Sequence, residues 1–159
     1  MDVAQVFAVW LHTLAFVIAW GYYGILGRVL LPSLGRSLDT ATEVGALAAV
    51  ERRALPLVLL STVLFVVTGS YLLVVDPRYE GLGNVFANSW TVLMLVKHLV
   101  VIGLVGLAVA VDVLVRRAAD AADDTGRQAA LRRVRLAAEG ATGLGALIVL
   151  LTVVAQLSV

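Results

Sequence analysis

Four long apolar runs dominate this 159-residue sequence and restrict the folds that it can adopt. They cover about residues 6–27, 54–75, 91–115 and 141–157. A helix needs about 20 apolar residues to cross a hydrocarbon core of roughly 30 Å, and each run is near that length. Hydrophobic residues make up 61% of the chain and charged residues only 14%, unlike a soluble domain. We therefore predict an all-α integral membrane protein, with residues 1–159 forming a single four-helix transmembrane bundle.

The remaining composition excludes several kinds of site and partner. The chain has no cysteine, so disulfides, thiolate metal sites and covalent haem attachment are excluded. Its net charge is only +1, which gives no basis for nucleic-acid binding. The partner that the composition does indicate is the lipid bilayer.

Charge in the connecting segments predicts the orientation of the bundle. The first connection holds four arginines and the third holds six, so together they carry ten of the twelve Lys and Arg residues. The second connection holds Arg78 alone. Because Lys and Arg concentrate in cytoplasmic loops, we expect the first and third connections inside and both termini outside.

Two of the connecting segments have helical character of their own. Residues 42–53 fit either a helix on the inner membrane surface or a downward extension of the second helix. The Ala-rich, charged residues 116–139 predict extensions of the third and fourth helices, with a turn near residues 124–126. Asp112 with Arg116, and Arg135 with Glu139, are four residues apart and are expected to form ion pairs at the membrane boundary.

The two histidines of the chain are the main candidates for a functional site. His12 is six residues past Val6, and His98 is seven past Thr91, depths of about 9 and 10 Å at the helical rise. The first and third helices run in the same direction, so both side chains are expected at matching depth near the outer face. One interpretation is that each histidine hydrogen-bonds a neighbouring helix. The other, which we favour, is that they share a cofactor, because ionisable groups inside a membrane are usually functional.

Two cofactors suit such a pair. Haem b can be held by two axial imidazoles, with Lys97 and Arg78 available for its propionates. Copper is the alternative, because imidazole and thioether groups both bind it. Met94 precedes His98 by one helical turn and would complete a set of His12, His98 and Met94.

Parts of the sequence resemble a known family. Helix one, "WLHTLAFVIAWGYYGILGRVLLPSL", resembles the opening helix of the copper resistance protein D family, with His12, the pair Trp20–Gly21 and then Pro32. Arg53, "VVTGSYLL" and "SWTVLMLVKHLVV" extend the resemblance to about residue 117. The early histidine and Lys97 are also similar to the J-type protoporphyrinogen oxidases, which are linked to haem b. The resemblance implies functional roles for His12 and Lys97, whereas His98 is an addition to the family pattern.

We predict from these observations a multi-pass protein of the prokaryotic plasma membrane that binds haem b through His12 and His98. It would exchange electrons with a redox partner or a membrane quinol, as a component of a membrane oxidoreductase. No catalytic residue is assigned. The alternatives are copper transport or resistance, a structural subunit of a membrane complex, and a porphyrin-oxidising enzyme.

Overall fold

The computed structural model describes residues 2–84, 86 and 88–157. Helix α1 spans Val3–Ile25, a π-helical segment Leu26–Leu30 follows, and α2 spans Leu31–Ser37. The longer helices are α3 at Thr40–Val75, α4 at Ser89–Asp120 and α5 at Asp124–Leu157. A short 3₁₀ turn at Leu82–Asn84 lies between α3 and α4, and these described parts of the chain contain no strand.

Four helical stretches are long and apolar enough to cross a membrane, which confirms the all-α membrane architecture. They are Val3–Ser37, Thr40–Val75, Ser89–Asp120 and Asp124–Leu157. Each is longer than the apolar run that predicted it. Residues 42–53 extend the second spanning helix, and the turn between α4 and α5 lies at residues 121–123, slightly before the predicted position.

Side-chain caps explain where three of the helices begin. The carboxylates of Asp2 and Asp39 accept hydrogen bonds from the backbone N–H groups of Gln5 and Thr42. The side chain of Asn88 accepts one from the N–H of Thr91. Each cap satisfies a backbone donor that has no partner within its helix.

Proline disturbs two of the helices. Pro32 has no N–H to donate to the carbonyl of Arg28, and the backbone before it widens into a π-helical segment in which the Leu31 N–H donates to Leu26 O. Pro56 lies inside α3 and leaves the carbonyl of Arg52 without its helical donor. Proline disturbs a helix in this way because it lacks a backbone donor and crowds the preceding turn.

The helices pack around an apolar core, with α1 against α3 and α4 against α5 as the closest pairs. Contacts between α1 and α5 and between α3 and α4 complete the ring, so that α1 and α4 lie diagonally across it. Gly145 admits the indole of Trp20, whose N–H donates to the carbonyl of Thr142 at 2.9 Å. Much of the outer surface is apolar, including Ile102 at 67% exposure, as expected for side chains that face lipid.

The two ends of the bundle differ in charge. We call the end with the start of α1 and the α3–α4 connection the terminal end, and the other the arginine end. At the arginine end the predicted ion pairs are present: Arg116 lies 3.0 Å from Asp112, and Arg135 lies 2.8 Å from Glu139. Nearby, the Tyr22 hydroxyl donates to the buried carboxylate of Glu51. These contacts do not establish which end faces the cytoplasm, and the orientation stays a prediction.

Candidate functional site

His12 is held against α3 by its Nδ1 atom. That nitrogen lies 3.0 Å from the carbonyl oxygen of Phe65 and 3.0 Å from the hydroxyl of Thr68. A carbonyl can only accept, so Nδ1 carries the proton and donates. The Thr68 hydroxyl in turn donates to the carbonyl of Leu64 at 2.6 Å. In a neutral ring this fixes the tautomer and leaves the lone pair on Nε2.

His98 has the same arrangement within its own helix. Its Nδ1 lies 2.6 Å from the carbonyl oxygen of Met94, one turn earlier on α4. This contact also places the proton on Nδ1 and the lone pair on Nε2. Within residues 2–84, 86 and 88–157, neither Nε2 atom has a hydrogen-bond partner. The bond of His12 to α3 is the interhelical contact that the packing interpretation expects, and the same orientation leaves Nε2 available in the way that a metal-binding histidine requires.

A cleft of about 250 Å³ lies beside His98, between α3 and α4. Three polar side chains line it, those of Ser70, Lys97 and His98. The rest of its lining is apolar and includes Val66 and Ile102, which are 45% and 67% exposed. Because these two residues lie at the outer surface of the bundle, the cleft opens sideways toward lipid.

His12 lies close to this cleft but behind its wall. Gly69 lines the cleft, and a methyl group at that position would lie 2.9 Å from the Cε1 atom of His12. The His12 ring also stacks on Phe65 at 4.3 Å. Lys97 and His98 line the same cleft from α4, opposite Phe65 and Gly69. The structure thus brings the three predicted residues together around Phe65 and Gly69.

Lys97 is the most unusual of the three. Its side chain is half-buried in the cleft wall, and it makes no hydrogen bond or ion pair with any part of the chain that the structure describes. An amine inside the bundle without a partner is costly in a membrane and makes Lys97 a candidate functional residue.

Arg78 and Met94 do not line the cleft. The Arg78 guanidinium donates to the Asp76 carboxylate at 2.9 and 2.8 Å and lies 4.6 Å above the centre of the Trp90 ring. Its charge is therefore already compensated at the terminal end. Met94 provides its backbone carbonyl to His98. A cofactor contact by either side chain stays a prediction.

The donor set has a consequence for the choice between haem and copper. The described residues contain no group of three or more His, Cys, Asp or Glu side chains that could hold a metal ion. A free metal ion usually needs three or four protein ligands, so copper would need the thioether of Met94 beside the two imidazoles. A haem iron already has four macrocycle nitrogens, so two imidazoles complete its coordination.

Sequence reasoning missed the residues of α3 that position His12. Thr68 and Gly69 stand together in the apolar run "VVTGSYLL", and a lone glycine inside a helical pattern usually has a packing reason. It also missed Glu51, which is only 3% exposed. Arg52 and Arg53 follow it directly, and so it resembled one more charge of an exposed loop.

Fold and site together define the chain as an integral membrane four-helix protein with a histidine- and lysine-lined cleft that opens toward lipid. Comparisons with protein-family models, with curated proteins and with solved structures found no match to this chain. Membership of the copper resistance D family therefore remains a prediction from the residues quoted above.

Proposed function

We propose that this protein binds haem b through His12 and His98 and passes electrons between a membrane quinol and a redox partner. The observation that carries the proposal is that both imidazoles have the same hydrogen-bonding pattern. Each donates its Nδ1 proton to a carbonyl, and neither Nε2 has a partner among the described residues. His98 lines the cleft, and His12 lies directly behind Gly69 of its wall.

The donors fit a haem iron, whereas the cleft in its present shape is too small for the macrocycle. Its volume of about 250 Å³ lies below the roughly 300–1,000 Å³ of typical ligand sites. The Phe65 ring also covers the face of His12. Haem binding would therefore require the cleft to widen, and its lipid-facing side at Val66 and Ile102 is where the helices leave it open.

Three side chains of the chain would hold the group. His12 and His98 would bind the iron, and Lys97 would pair with a propionate. When bound, haem supplies one-electron redox chemistry at its iron. The apolar lining of the cleft would exclude water, and the Nδ1 hydrogen bonds would fix both imidazole rings. Burial and hydrogen bonds to the ligands are two of the factors by which a protein tunes haem.

Absorption spectra of the purified protein test the proposal. We expect a six-coordinate, low-spin spectrum in the wild type, because two imidazoles are strong axial ligands. His12→Ala and His98→Ala should each give a five-coordinate species or lose the haem. Met94→Leu is the matched control on the same helix face and should change little, since it preserves side-chain volume.

Other outcomes would contradict the proposal and favour the alternatives. A low-spin spectrum that survives in His98→Ala would exclude that residue as a ligand and make Lys97 the next one to test. Bound copper without a Soret band, lost in Met94→Leu, would support the copper alternative. Turnover of a porphyrinogen would indicate an enzyme, and co-purified subunits without any chromophore would indicate a structural role.

A further inference from the structure

A second pocket, of about 430 Å³, lies at the arginine end, away from the histidine cleft. Residues from three helices line it: Arg36 from α2, Glu43 from the first turn of α3, and Arg132 and Arg135 from α5. The Gln128 amide donates to the Thr40 hydroxyl and links α5 to the start of α3 beside it.

The charges in this pocket do not neutralise one another. Arg36 and Arg132 are exposed and Glu43 is half-buried, yet none of them forms an ion pair with the residues that the structure describes. Arg135, in contrast, is paired with Glu139 at 2.8 Å. Two unpaired cations and one unpaired anion around one pocket suit a ligand that has a negative charge and also a hydrogen-bond donor.

The position of the pocket favours a lipid as that ligand. Leu31 and Leu131, which are only 5% and 8% exposed, form part of its lining. Leu31 lies four residues beyond Gly27, where the first apolar run ends, which is about 6 Å along the helix. The headgroup layer occupies roughly 5–7 Å on each side of the hydrocarbon core, so the apolar part of the pocket lies at the depth of the headgroups and the arginines lie farther out.

We propose that this pocket binds the headgroup of a singly charged anionic glycerophospholipid of the phosphatidylglycerol class. Arg36 and Arg132 donate to the phosphate oxygens, a geometry for which the guanidinium group is well suited. Glu43 accepts a hydrogen bond from a hydroxyl of the headgroup glycerol. Two cations and one anion leave one positive charge, which matches one phosphodiester. The assignment is independent of any cofactor at the histidine cleft.

Native mass spectrometry of the full chain in detergent tests this assignment. Added phosphatidylglycerol should be retained more strongly than phosphatidylcholine. Arg36→Gln and Arg132→Gln should each weaken retention about tenfold, because each removes a charge-assisted hydrogen bond. Arg133→Gln is the matched control, since it removes the same charge from the neighbouring position outside the pocket and should leave retention unchanged.

Further measurements separate the lipid from other sources of phosphate and test the role of Glu43. Inorganic phosphate should not compete with phosphatidylglycerol, and full competition would overturn the assignment to a lipid. Glu43→Gln should reduce the preference for phosphatidylglycerol over phosphatidic acid, which lacks the glycerol hydroxyls. Equal retention of phosphatidylcholine, or equal weakening by Arg133→Gln, would overturn the proposal.

Discussion

Gly69 leaves the space in which the His12 ring lies against α3. The ring is fixed there by the carbonyl of Phe65, the hydroxyl of Thr68 and the stacked Phe65 ring. Any side chain at position 69 competes with the imidazole for the same volume. The orientation of His12 therefore depends on a residue that has no functional group.

Gly69→Ala should displace His12. The new Cβ would lie 2.9 Å from Cε1, so the ring must shift and weaken its hydrogen bonds, at a cost of about 1–3 kcal/mol typical of overpacking. We expect reduced haem loading or an altered axial spectrum. Gly106→Ala is the control, because nothing lies within 4 Å of a Cβ at that position. An unchanged spectrum in Gly69→Ala would show that the His12 position does not matter for the site.

The spacing along the helices predicts a common depth for His12 and His98, but it does not predict the direction of either side chain. Counting residues along a helix gives depth from the constant rise, and it indicated that His12 and His98 lie at similar depth. Which neighbour each ring contacts depends on helix rotation. A helix that is apolar on most faces gives no amphipathic pattern from which to read that rotation. Phe65 and Gly69 were therefore not predictable as neighbours of His12.

At the level of the helices, Gly145 permits the close approach of α1 and α5. A methyl group at Gly145 would overlap Cδ1 of Trp20. Gly145→Ala should therefore lower the free energy of unfolding by roughly 1–3 kcal/mol and break the hydrogen bond from Trp20 to Thr142. Denaturant unfolding followed by circular dichroism measures the change. Gly143→Ala, with nothing within 4 Å, should be neutral or slightly stabilising, and an equal loss there would contradict the packing argument.

The ion pair that follows α3, between Asp76 and Arg78, predicts a pH dependence of stability. Hydrogen bonds from the Arg78 guanidinium hold the pKa of the Asp76 carboxyl below its ordinary value. Folding therefore favours the ionised form, so this stabilisation is complete above about pH 3.9 and is lost as the pH falls through the lowered pKa. Its size should be about 1 kcal/mol or less, because the pair is partly exposed.

Acid titration of unfolding in Asp76→Asn tests this contribution. As the pH falls, the wild type should lose the contribution of this ion pair to its free energy of unfolding. Asp76→Asn should not show that loss, because it has no carboxylate at position 76. Glu80→Gln alters an exposed carboxylate of the same connection and is the control. Identical pH profiles for the wild type and Asp76→Asn would exclude the ion pair as a source of stability.

The existence of the four helices was predictable because long apolar runs have few alternatives to a spanning helix. The helical extensions over residues 42–53 and 116–139 were predicted from composition rather than from hydropathy. Charged, Ala-rich segments such as residues 116–139 have high helix propensity but no apolar signal. Hydropathy therefore underestimates α3, α4 and α5 at the arginine end.

For the whole molecule, the charge of the connections predicts that the arginine end faces the cytoplasm. The chain has no cysteine, so single-cysteine labelling in intact cells gives a direct test. Thr125→Cys should resist a membrane-impermeant maleimide, whereas Glu80→Cys should react, since both positions are exposed. Labelling of Thr125→Cys alone would invert the orientation and place the histidine cleft in the inner half of the membrane.

The sideways opening of the histidine cleft has a practical consequence for handling the protein. Any ligand that enters between Val66 and Ile102 exchanges with the surrounding lipid rather than with the aqueous buffer. Detergent would extract such a ligand by dilution into micelles, at a rate set by its partitioning. Extraction in polymer-bounded native discs, which retain the neighbouring lipid, should therefore preserve an occupancy that detergent purification lowers.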